Sequence, residues 1–78
     1  LTIRTKFEYE NIEELSRLKN IFQKMNIIEK YSLEEVNINE SYFKIYYYGS
    51  PKRLKIELSE LGYHLKNNQG YWGIYKND

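Results

Sequence analysis

A chain of 78 residues, 41% hydrophobic and 29% charged with a formal net charge of +1, has room for one small domain, which buries about 60% of the surface its unfolded chain exposes. That balance is the composition of a folding chain, not of a disordered tail or a strongly basic nucleic-acid-binding arm. The absence of cysteine excludes a disulfide framework, a thiolate zinc site, an iron–sulfur cluster and a cysteine nucleophile.

From the N-terminus, Leu1, Ile3, Thr5, Phe7 and Tyr9 share one parity and Thr2, Arg4, Lys6 and Glu8 the other, which predicts a half-buried strand over Leu1 to Tyr9. Asn11, with Glu14 three residues on, has the form of a helix N-cap and its reciprocal carboxylate. In the helix that follows, Ile12, Leu15, Leu18, Phe22 and Met25 recur at three- and four-residue spacing and form the expected core face. Residues Ile28 to Val36 read as a second strand, and the three-residue step from Leu33 to Val36 calls for a bulge. Asn37, Asn39, Glu40 and Ser41 supply turn chemistry, and Tyr42 to Tyr48 is dense in β-favouring aromatics.

Gly49-Ser50-Pro51 then ends that strand and opens a second helix, with Ser50 as N-cap and Pro51 in the first turn, where its missing N–H costs nothing. Leu54, Leu58 and Leu61 are its expected buried stripe, and Gly62 stands where a helix C-terminus favours glycine. Tyr63 to Lys66, the turn Asn67-Asn68-Gln69-Gly70 and Tyr71 to Tyr75 complete a final strand or hairpin. The order predicts an α+β, ferredoxin-like βαββαβ domain, an antiparallel sheet with both helices packed on one face and room for an extra C-terminal hairpin strand. The domain is expected to span Leu1 to Asp78 and, starting at leucine, to be a segment cut from a longer protein.

Nine tyrosines, three phenylalanines and Trp72 make the chain 17% aromatic, a heavy load that small cores draw on. With Ile3, Phe7, Phe43, Ile45 and Tyr47 toward the helices, alternation turns Arg4, Lys6, Tyr42, Lys44, Tyr46 and Tyr48 to the opposite face. These six residues are the expected binding surface, with the tyrosines as anchors and the cations as polar surround. Two uses fit: a contact with a protein partner, a neighbouring domain or a second copy, or the stacking of single-stranded nucleic acid on rings flanked by cations. The second lacks the glycine that RNA-recognition motifs place in their third strand, and the near-neutral charge adds no phosphate attraction, so protein contact is the expected use and nucleic acid is not.

Elsewhere the sequence favours structural readings. Lys52, Arg53 and Lys55 beside Gly49-Ser50 could flank an anion, but Pro51 removes one amide from that helix start. The pairs Glu13-Glu14 and Glu34-Glu35 are adjacent in sequence and diverge on a helix or strand, whereas acid–base work needs convergence. His64, the only histidine, has no second His or Cys to share a metal. Hence no enzyme activity, cofactor or metal is expected. No stretch reaches the ~18 consecutive apolar residues of a membrane span, and Leu1-Thr2-Ile3-Arg4 lacks the apolar core of a signal peptide.

The run Tyr48-Gly49-Ser50-Pro51-Lys52-Arg53-Leu54, then Leu58, Leu61-Gly62-Tyr63, Leu65 and Gly70-Tyr71-Trp72, resembles the C-terminal module of an uncharacterised proteobacterial family of predicted envelope proteins. The resemblance implies an accessory ferredoxin-like domain in the periplasm or envelope, with no assigned activity; the cytoplasm is the alternative compartment. The Leu-x-x-Leu-Gly-Tyr helix end is also similar to that of heavy-metal-associated domains. Those hold their metal with a cysteine pair after the first strand, where this chain has Tyr9-Glu10-Asn11-Ile12, so soft-metal transport is rejected.

Overall fold

The computed structural model describes residues 1–77, and Asp78, the last residue of the expected domain, lies outside them. Seven elements follow one another: β1 (Thr2–Glu8), α1 (Ile12–Lys24), β2 (Ile28–Val36), β3 (Glu40–Tyr47), α2 (Pro51–Glu60), β4 (Tyr63–Asn68) and β5 (Tyr71–Lys76). This is a small α+β fold whose order is roughly that of a ferredoxin-like unit with one strand more.

The helix ends form for the local reasons their residues supply. Asn11 Oδ1 accepts the Glu14 backbone N–H at 3.2 Å, and Glu14 Oε1 reaches back to the Glu10 N–H at 2.7 Å, one residue earlier than a standard capping box. Ser50 Oγ accepts the Arg53 N–H at 3.2 Å, with Pro51 in the first turn. Past the C-cap Leu61, Gly62 takes φ of +95°, a left-handed conformation that costs a side chain about 1–2 kcal/mol and glycine almost nothing.

The sheet order is β2-β3-β1-β5-β4. β1 and β3 are antiparallel neighbours, as expected, with Ile3 opposite Ile45 and Thr5 opposite Phe43. The sheet is nevertheless mixed rather than antiparallel, because β5 runs parallel to β1, with Thr5 beside Trp72 and Phe7 beside Ile74. The C-terminal hairpin causes this. After the α2 crossover, β4 is antiparallel to β5 and lies at the outer edge, and the returning strand fills the place beside β1.

Both helices cover one face. Leu15, Leu18 and Phe22 of α1 and Leu54 and Leu58 of α2 join Ile3, Phe7, Phe43, Ile45, Leu65 and Ile74 in a single buried cluster. Phe22 meets Phe43 edge-on, ring centroids 5.2 Å apart, and Tyr31 at 5.3 Å, geometries aromatic pairs favour. Two polar side chains are buried in the β1–β3 pair and both are satisfied: Thr5 Oγ1 donates to the Phe43 carbonyl and Ser41 Oγ to that of Phe7. The expected bulge is present: β2 slips register between Leu33 and Glu35, and again between Ile28 and Lys30. These slips keep Ile28, Tyr31, Leu33 and Val36 on the helix side despite their three-residue steps.

Two expected core positions are corrected. Ile12 is 64% exposed, because it is the first residue of α1 and the helix meets the core only from Leu15 onward. Leu61 is 44% exposed; as the C-cap it has left helical geometry (φ −101°, ψ 9°) and with it the buried stripe of Leu54 and Leu58.

Candidate functional site

The face of the sheet away from the helices is built by the even-numbered residues of β1 and β3. Arg4 lies opposite Lys44 and Lys6 opposite Tyr42, so four of the six expected residues sit on adjacent central strands, and Tyr46 follows on β3. Tyr48 does not join them. β3 ends at Tyr47, the Tyr48 N–H bonds to the Ile27 carbonyl, and the Tyr48 side chain, 58% exposed, lines an open recess of about 780 Å³ with Met25, Ile27, Arg53 and Leu61. The alternation that put Tyr48 with Tyr46 stops one residue too early to hold it.

Three contributors escaped the sequence reading. Tyr71 and Tyr75 of β5 and Lys30 of β2 belong to the same face, since Gly73 registers with Lys6 and Lys30 with Tyr46. The signal was present in the alternation Tyr71-Trp72-Gly73-Ile74-Tyr75, whose even members face the core: Ile74 is buried and Trp72 packs against the cluster. What sequence could not supply was the position of β5 directly beside β1.

Rings and cations interleave closely. Lys6 Nζ lies 5.9 Å from the Tyr42 ring centre and 5.7 Å from that of Tyr71, while Tyr46 takes Lys30 at 4.6 Å and Lys44 at 5.3 Å, distances at which a ring face attracts a cation. Carboxylates pair with Lys6 and with Arg4: Glu40 Oε2 is 3.3 Å from Lys6 Nζ and Glu34 Oε1 is 3.7 Å from Arg4 Nε. The hydrogen bond to Glu40 raises the Lys6 pKa above its ordinary value. Asn37 donating to Glu40, then Lys6, hold the Glu40 carboxyl below the usual range. Tyr75 folds back over Gly73 and accepts a hydrogen bond from Asn68 Nδ2 at 3.2 Å, so the ring replaces the side chain that glycine lacks.

A recess of about 320 Å³ opens beside this ring cluster, walled by Tyr42 and Tyr71 and lined by Arg4, Glu34 and Glu35. His64 is exposed and lies beside Tyr75, the rings tilted by 59° with centroids 5.6 Å apart. Among the described residues no three His, Asp or Glu side chains converge as a metal set, and no helix is long and apolar enough to cross a membrane. Comparison with protein-family models, with curated proteins and with solved structures finds no match to this chain.

Proposed function

We propose that this chain is a non-catalytic interaction or assembly module, a ferredoxin-like unit extended by one strand, whose open sheet face receives a protein partner or a neighbouring domain. The observation that carries the reading is the half-buried Lys6, held between Tyr42 and Tyr71 and paired with Glu40. A pre-ordered ring cluster offers large apolar contact at little cost in side-chain entropy, as at the centres of protein interfaces. Arg4 and Lys6 at its centre are already paired with carboxylates, so the centre of the face offers shape and rings rather than net charge.

Stacking of single-stranded nucleic acid is the competing use of the same rings. Phosphate binding draws on accumulated free cations, whereas Arg4 and Lys6 face carboxylates and Glu8 and Glu35 add negative charge to the same side. The periplasm or envelope, implied by the family resemblance, is the compartment we assign to this role.

Photo-cross-linking in cells tests the proposal, with benzoylphenylalanine in place of Arg4 at the centre of the face. A discrete protein adduct, lost when Tyr42 and Tyr46 are both alanine, is expected. Adducts to nucleic acid, or none, would overturn it.

A further inference from the structure

β2 is the outermost strand on its side of the sheet and, at nine residues, the longest in the chain. Its inner side is fully used by β3. Among the described residues no backbone or side-chain hydrogen bond reaches the Glu29–Val36 main chain from the outer side. Strand edges of this length are usually guarded by proline, by lysine or by a covering loop. Here bulges before Lys30 and after Leu33 guard the two ends, and the regular four-residue ladder Lys30–Leu33 between them stays open on its outer side.

Two features flank that ladder. On the helix side, Leu33 is 37% and Val36 49% exposed, and Ile38 and Ile12 stand beside them at 85% and 64%; Ile12, Val36 and Ile38 share a recess of about 320 Å³. The edge is also acidic. Glu29 and Glu35 make no ion pair among the described residues, Glu34 has only Arg4 at 3.7 Å, and the one cation of the strand, Lys30, is turned to the Tyr46 ring.

Three carboxylates against the single Lys30 give the strand a net negative charge, to which a basic strand is complementary. We infer that the outer edge of β2 takes up a short extended segment of another protein in which apolar and basic residues alternate. Its backbone extends the sheet along Lys30–Leu33, its apolar side chains cover Leu33 and Val36, and its basic side chains meet Glu29, Glu34 and Glu35. This edge borders the tyrosine face through Glu34 and Glu35, and its backbone pairing does not depend on that face.

The test is an NMR titration of the full chain with a capped peptide of alternating valine and lysine, beside one with glutamate for lysine and one with serine for valine. Expected are amide shifts confined to Glu29–Ile38 and Ile12, binding at least about tenfold weaker for both control peptides, and a similar loss in a Glu29→Lys, Glu35→Lys variant that keeps the parent spectrum elsewhere. Equal binding of the serine peptide would reduce the effect to bulk charge and overturn the inference. So would shifts centred on Tyr42, Tyr46 and Tyr71, shifts at β2 that grow with protein concentration alone, or no binding at about 1 mM peptide.

Discussion

Lys6 Nζ lies 3.3 Å from Glu40 Oε2, diagonally across the β1–β3 pair, and over the rings of Tyr42 and Tyr71 at 5.9 and 5.7 Å from their centres. A second pair of the same kind ties the end of β5 to the start of α1, with Lys76 Nζ 2.7 Å from Glu14 Oε2. One pair orders the open face and the other clamps the C-terminal strand, so both report on the fold through their protonation.

The pH dependence of stability follows from the signs of these shifts. Lys76 and the Glu10 N–H lower the Glu14 pKa, and Asn37 and Lys6 lower that of Glu40. Their contribution is complete above the ordinary carboxylate value of about 4.3 and is lost as pH falls through the depressed folded values. Lys6 and Lys76 are raised by their carboxylate partners; their contribution is complete below about 10.4 and is lost as pH rises through the raised values. Thermal unfolding followed from pH 7 to pH 2 should therefore show an acid arm that is shallower in Glu14→Gln and Glu40→Gln, and shallower still at high salt, since both pairs are partly exposed. An acid arm unchanged in the double variant would contradict the pairing.

Leu58 and Ile12 occupy equivalent places in the hydrophobic pattern of their helices and different places in the molecule. Leu58 is fully buried and Ile12 is 64% exposed. Urea denaturation should find Leu58→Ala destabilising by about 2–5 kcal/mol and Ile12→Ala within about 0.5 kcal/mol of the parent. Comparable losses would mean that α1 buries its first turn after all.

Gly73 and Tyr75 form a unit, since a Cβ at position 73 would come within 2.5 Å of the Tyr75 hydroxyl oxygen. Gly73→Ala in the parent should cost about 1 kcal/mol, because the ring must leave Asn68. In a Tyr75→Ala background the same change should be neutral or stabilising by about 0.5 kcal/mol, the usual gain on removing a strand glycine. A double-mutant cycle reads the difference; equal costs in both backgrounds would show that the ring does not cover the glycine.

Much of this architecture is legible in local chemistry. Asn11, Ser50-Pro51 and Gly62 mark helix ends by the bonds and dihedral angles they permit, and the Leu33-to-Val36 step announces its bulge. What the sequence withholds is non-local. Nothing near Tyr71 says that β5 lies against β1 and not at the sheet's edge, so Tyr71 and Tyr75 were missing from the expected face and the sheet was expected to be antiparallel. Helical spacing likewise places Ile12 and Leu61 on the right side of their helices but cannot say how far the sheet beneath them extends. Tyr48 was misassigned for the same reason, since alternation has meaning only while the strand continues.

The most direct measurement for the proposed role is hydroxyl-radical footprinting of Tyr42, Tyr46 and Tyr71 in living cells and in the purified protein, with Tyr48, exposed and away from that face, as internal reference. Protection of the three rings in cells that persists after nuclease treatment of the lysate is expected if a protein covers the face. Equal labelling in cells and in the purified chain, or protection that nuclease abolishes, would contradict it.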